Sequence, residues 1–88
     1  MKKRTRLEVI RDILEILREN KQTKITHLIY KSNLSNNSIK PYLKDLLENG
    51  MIEQTVSNEK REFKIASKGH VFLEEFNKIK IFSESFGL

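Results

Sequence analysis

Between residues 5 and 19 the apolar side chains Leu7, Ile10, Leu14 and Leu17 recur at spacings of three and four, and Val9, Ile13 and Ile16 form a second stripe beside them. This period predicts an amphipathic helix, closed by Asn20 and Lys21. Two adjoining stripes make the buried face wider than packing against one small domain demands, so part of it is expected to meet another helix or another subunit. Ile25, Leu28 and Ile29 repeat the spacing in a shorter helix, with Thr23 as its N-cap and Asn33 as the left-handed residue that ends it. Leu34 plugs the bend that follows. Ser35 then caps a third helix, which runs to about Glu48 and stops at Gly50.

On the third helix Ile39, Leu43, Leu46 and Leu47 fall within one arc of about 100°, while Asn37, Pro41, Lys44 and Glu48 cluster opposite and Ser38 and Lys40 flank them. Pro41 lies too deep for the first turn if Ser35 is the cap, but within that turn if Ser38 is. A late start or a kink is therefore expected.

From Met51 the period falls to two. Ile52, Gln54 and Val56 alternate with Met51, Glu53 and Thr55, and Phe63 and Ile65 alternate with Glu62, Lys64 and Ala66. The pattern predicts a two-stranded hairpin with a polar tip over Ser57–Arg61. That tip has no glycine, so Asn58 is the residue expected to take a positive φ. Ser67 would cap a last helix from 68 to 85, roughly 27 Å long. Along it Phe72, Phe76, Ile79 and Phe86 form a heptad-like seam, with Ser83 in the missing place. The expected fold is mainly α with a two-stranded β-hairpin, an α+β domain. It is read as one unit over 1–88, with a core at 5–66 and a terminal helix at 67–86.

Composition agrees with a small folded domain. Leu, Ile, Val and Phe supply 28 of the 88 residues, about a third, above the level of roughly a fifth at which charged chains stay disordered. Without cysteine there is no disulfide, thiolate nucleophile or zinc knuckle. The longest apolar run is three residues, too short for a bilayer span. The basic start, Lys2, Lys3, Arg4 and Arg6, leads into no apolar segment, so it does not read as a signal peptide and a cytoplasmic protein is expected. Residues 1–44 carry 11 basic and 4 acidic side chains, against 6 and 8 in residues 45–88. A basic first half fits a polyanionic partner, and equally a well-solvated surface.

Catalytic chemistry finds little support. His27 has no histidine or carboxylate at helical spacing, and His70 has only Glu74 four residues on, too few ligands for a metal face. Glu8, Asp12 and Glu15 are interleaved with Arg4, Arg11 and Arg18, as on a solvated helix face. Neither a Gly-rich phosphate loop nor a nucleophile elbow occurs. No enzyme, metal, cofactor or small-molecule substrate is expected.

The run NLSNNSIKPYLKDLLENGMIE, followed by REFKIASKGHVFLEEF, resembles the pattern of small archaeal winged helix-turn-helix regulators. In these a Leu-rich third helix leads through a glycine into the first wing strand, and an aromatic-x-Ile-Thr-x-x-Gly run enters the last helix. The likeness spans residues 5–76. Size and the aromatic-rich end are similar to the ten-kilodalton archaeal DNA-binding proteins, which dimerise through a C-terminal antiparallel coiled coil. Ala66 departs from the capping threonine of that pattern, and the final helix is short for a long coiled coil.

The resemblance implies double-stranded DNA as partner and a homodimeric, nucleoid-associated or regulatory protein. In a helix-turn-helix the second helix enters the major groove with its N-terminal residues on base edges, here Asn37, Ser38, Pro41 and Lys44, with Asn36 and Lys40 beside them. Asn37 is the first choice for a base reader, because an amide can bond bidentately to adenine. Asn36 and Asn37 also simply favour a helix start. Lys44 suits phosphate, as do the free peptide N–H groups at the same helix start. Asn58, Lys60 and Arg61 at the wing tip would reach the adjacent backbone or minor groove, or form a solvated turn. Lys24 and Lys31 would grip phosphate, with Lys3, Arg4 and Arg6 as a loose arm. Tyr30 and Tyr42 are read as partly buried core rather than phosphate donors.

Phe72, Phe76, Ile79, Phe82 and Phe86 are the expected dimer interface. The competing function is a winged helix that binds a protein within a transcription or other complex. Such versions expose apolar or acidic groups on the third helix, whereas this one exposes Asn, Ser and Lys, with Asp45 and Glu48 at its far end.

Overall fold

The computed structural model of the chain describes residues 3–88. Its elements are α1 (Arg6–Glu19), β1 (Thr23–Lys24), α2 (Ile25–Ser32), α3 (Asn36–Glu48), β2 (Ile52–Ser57), β3 (Lys60–Ile65) and α4 (Ser67–Ser85). Helix α1 begins in a capping box. The Thr5 hydroxyl accepts the Glu8 N–H at 3.1 Å, and the Glu8 carboxylate accepts the Thr5 N–H at 2.9 Å, so two donors at the helix start are satisfied reciprocally. Val9, Ile10, Ile13, Leu14 and Leu17 are buried, and α1 packs against α2, α4 and β3. Three neighbours within one chain account for the wide apolar face. Leu7 is exposed, contrary to its place in the stripe, because at the very start of the helix the neighbours no longer cover it.

Thr23 does not cap α2. It lies in β1, opposite Phe63, and Lys24 occupies the N-cap with no side-chain bond to the helix. Two residues are too few to show a period of two, so the sheet has three strands, in the order β1-β3-β2, rather than the two expected. Asn33 ends α2 at φ 59°, as its tolerance of the left-handed region predicts.

Ser35 is the cap of α3: its hydroxyl accepts the Ser38 N–H at 3.1 Å. The late start at Ser38 is therefore not adopted. The helix continues through Pro41, its sixth residue, to Glu48, against a typical cost of about 3 kcal/mol for an interior proline. At the far end the Gly50 N–H bonds the Leu47 carbonyl at 3.1 Å and the Met51 N–H bonds the Leu46 carbonyl at 2.9 Å. With Gly50 at φ 72° this is a Schellman stop.

In the hairpin Ser57 pairs with Lys60 and Val56 with Arg61. The turn is thus two residues, Asn58 and Glu59, at φ 51° and 64°, the handedness that matches strand twist. The five-residue tip contracts accordingly, and Glu59 shares the positive φ expected of Asn58 alone. Ala66, not Ser67, is the N-cap of α4, and it makes no side-chain cap bond. Gly69 and Leu73 of α4 are buried and Phe72 packs against the core, which also takes in Leu28, Ile39, Leu43, Leu46, Ile52 and Phe63. Among the described residues no helix is long and apolar enough to cross a membrane.

Candidate nucleic-acid interface

The pairing of β3 decides where the wing cations point. Side chains alternate across a strand, so Arg61 shares a face with Val56, Phe63 and Gln54, while Lys60 shares the other with Glu62 and Lys24. On the first face, α3, the α2 start and the wing enclose an open groove of about 450 Å³. Its floor is Ile25, Leu43, Leu47 and Phe63, and Lys40, Lys44, Glu48, Gln54 and Arg61 line it as well. A neighbouring depression of about 410 Å³ lies between the α2 start and β3, lined by Lys24, Ile25, Thr26, Lys60 and Arg61. Ile25 and Arg61 belong to both. Five of the expected cations, Lys24, Lys40, Lys44, Lys60 and Arg61, are thereby brought around one continuous surface.

None of these five takes part in an ion pair among the described residues. Glu48 is the one carboxylate in the groove, at the C-terminal end of α3, as the wheel of that helix indicated. Lys60 and Arg61 belong to the paired strand β3 rather than to a loop.

The exposed face of α3 carries Asn36, Asn37, Ser38, Lys40, Pro41 and Lys44. The Ser38 hydroxyl accepts from Ser35 at 2.8 Å, so part of its capacity is spent on the cap. At the start of α2 no side chain satisfies the first N–H groups. The Thr23 hydroxyl just before them is buried and unpartnered, and Thr23 lines a depression of about 290 Å³ with Asn20, Gln22, Lys24, Thr26 and His27.

Other expected contacts lie elsewhere. Lys31 borders a separate hollow with Asp12, Glu15 and Glu19 of α1. The N-terminal cations do not form a loose arm over the described residues. Arg4 pairs with Asp12 at 2.8 Å, and Arg6, already in α1, bonds Asp45 of α3 at 2.6 Å while lying over the Tyr42 ring. The hydrogen bond from Arg6 to Asp45 raises the Arg6 pKa further. Lys3 is exposed ahead of the helix, and Lys2 lies outside the described residues.

The two tyrosines part company. Tyr42 packs against the core, but Tyr30 is 80% exposed on α2, a correction to its reading as core. On a helix as short as α2, one aromatic beside the apolar stripe does not show which side of the stripe is covered.

The seam of α4 is divided in the same way. Phe72 and Phe76 stack at 6.1 Å, and Arg11 of α1 lies 5.2 Å from the Phe76 ring, so both rings are partly engaged within the chain. Ile79, Phe82 and Phe86 are 61–67% exposed. Periodicity placed Ile25 in the apolar stripe of α2 and Gln54 in the first wing strand without marking either as a groove residue, yet both line the groove. The alternation Ile52, Gln54, Val56 carried a signal for Gln54, because it puts that amide on the inward face of the wing.

A family model described as winged helix-turn-helix matches residues 3–84. Among solved structures the chain is similar to Sso10a-2, a DNA-binding protein from Sulfolobus solfataricus, at 27% identity over 96% of this chain and 90% of that one, with a TM-score of 0.76. It is similar in fold to the reduced form of the transcriptional regulator YodB from B. subtilis at 19% identity, covering 84% of this chain and 76% of that one, with a TM-score of 0.74. The fold also matches the transcriptional repressor CouR bound to a 23-mer DNA duplex, at 18% identity over 86% of this chain and 54% of that one, with a TM-score of 0.72. No curated protein matches the chain.

Proposed function

The chain belongs to the winged helix-turn-helix family, and from that premise we propose that it binds double-stranded DNA with a sequence preference, as a homodimeric transcriptional regulator or chromatin-associated protein. One observation carries the reading: five cations, unpaired among the described residues, line two adjoining hollows, Lys40, Lys44 and Arg61 the groove between α3 and the wing, and Lys24, Lys60 and Arg61 the depression beside it. Phosphate is the partner that rewards such a gathering, since each contact releases condensed counterions. Helix α3 enters the major groove with Asn36, Asn37 and Ser38 toward base edges, and Lys40 and Lys44 take the flanking backbone. Lys60 and Arg61 sit on the adjacent backbone or minor groove, with Asn58 at the turn. The open N–H groups of α2, beside Lys24, add a phosphate site that needs no side chain.

The dimer forms through the C-terminal part of α4. Ile79, Phe82 and Phe86 are exposed there, and a second copy of the same helix is the occupant the resemblance to the ten-kilodalton DNA-binding proteins implies. This end of the molecule lies in the acidic half of the chain and has no phosphate to meet.

A second reading rests on the apolar floor of the groove, formed by Ile25, Leu43, Leu47 and Phe63, which would also seat a hydrophobic segment of a protein partner. Titration with a duplex at low and at moderate salt separates the two. The DNA reading expects tight binding that falls steeply as salt rises. Absence of binding at low salt would transfer the groove to a protein partner.

A further inference from the structure

Pro41 stands in the interior of α3, with a full turn and more of helix on either side. It has no N–H to give the Asn37 carbonyl four residues back, and its ring crowds that carbonyl. The ordinary uses of a helical proline do not apply. It is not in the first turn, it ends nothing, and it is exposed to solvent, so the fold gains no packing from it.

Its position on the helix is particular. At about 100° per residue the polar face of α3 is centred on Pro41, with Glu48 and Asn37 within about 40° on one side and Asp45 about 40° away on the other. In the middle of a face of amides, carboxylates and amines there is thus one apolar, donor-free ring. Resting on the proposed reading that this face enters the major groove, the ring meets base edges directly. Every base presents a donor or acceptor there that a proline cannot satisfy, but thymine alone adds to its O4 acceptor a C5-methyl group that an apolar ring can cover. We infer that Pro41 is a specificity-determining residue that reads a thymine by contact of its ring with that methyl. Asn37, one turn earlier on the same face, then addresses a neighbouring base.

The test begins with a duplex selected from a random-sequence pool by the wild-type protein. Each thymine is replaced in turn by deoxyuridine, which removes the methyl and nothing else. At one position the wild type should lose about fourfold in affinity, as expected for one buried methyl-sized group. Pro41→Ser should be indifferent to that replacement. Its thermal midpoint should rise, because the helix regains an N–H. An equal loss in wild type and variant, no sensitive thymine, or a lower midpoint in Pro41→Ser would each overturn the inference. If the wild type retained no duplex at low salt, the DNA reading itself would fall, a result distinct from binding without thymine preference.

Discussion

Gly69 of α4 lies against the backbone carbonyl of Met51, so close that a Cβ at residue 69 would stand 2.5 Å from that oxygen and 2.7 Å from Cγ1 of Ile65. The carbonyl cannot step aside, because it accepts the Ala66 N–H at 2.9 Å and so ties the start of α4 to the start of the wing. Alanine is favoured over glycine by about 1 kcal/mol in an open helix. Here overpacking should outweigh that gain, and Gly69→Ala should destabilise the fold by about 1–3 kcal/mol. Thermal melting checks it, and a midpoint at or above the wild type would mean that α4 can lift off the hairpin.

The capping box of α1 makes a pH-dependent contribution. The Glu8 pKa is lowered, chiefly by the hydrogen bond from the Thr5 backbone N–H and then by its bond to the Thr5 side chain. A carboxylate whose folded pKa is depressed stabilises fully above its unfolded pKa, and that stabilisation is lost as pH falls through the folded value. The midpoint of Glu8→Ala should therefore lie below the wild type at neutral pH. The gap should close on acidification from the ordinary glutamate range through the lowered one. A gap constant across that window would show that the carboxylate charge plays no part.

Much of this fold is legible in local chemistry. The stop of α3 is written in Gly50, the αL residue in Asn33 and the start of α3 in Ser35, because each acts through its own backbone or nearest amides. The unit as a whole was harder to read where partners are distant in sequence. β1 exists only because Thr23 and Lys24 meet Phe63 and Glu62, and Thr23 therefore looked like a cap. The Gly69 position was visible as part of a motif, but its reason, the Met51 carbonyl, is a tertiary contact. In the candidate site the cations could be named from the sequence. Which of them converge could not, since packing of the α2 start against β3 brings Lys24 to Lys60 and Arg61, and helix packing sends Lys31 to the acidic side of α1.

The wing cations should act on affinity rather than on sequence choice. Lys60→Ala with Arg61→Ala removes two charges that border the same depression as Lys24. Binding to every duplex should weaken, and the slope of log affinity against log salt should flatten by about 0.9 for each phosphate left without its cation. Fluorescence titration over a salt series gives both quantities. An unchanged slope would place the wing away from the DNA.

Asn37 should behave in the opposite way. Its amide is exposed on the first turn of α3, where a bidentate bond to adenine discriminates by about 1–3 kcal/mol. Asn37→Ala should bring the affinity for a selected duplex toward that for an unrelated one, with little change in salt slope. Should it instead weaken both duplexes equally, Asn37 serves the helix start and is not a base reader.

The dimer is best tested where α4 is not already engaged within the chain. Phe76 lies beneath Arg11 and Phe72 packs against the core, so changing either would disturb the protomer and confuse association with unfolding. Ile79 and Phe82 are exposed and offer the cleaner site. Ile79→Glu with Phe82→Glu places two charges on the face expected to meet its copy, where burial without partners is costly. The wild type should scatter light as a dimer at tens of micromolar, and the variant as a monomer that melts cooperatively. Its DNA affinity should fall as well, because two linked half-site modules bind at a high effective concentration and a single one does not. A wild type that is already monomeric would remove the dimer from the proposal, leaving the groove and its cations as a single DNA-binding unit.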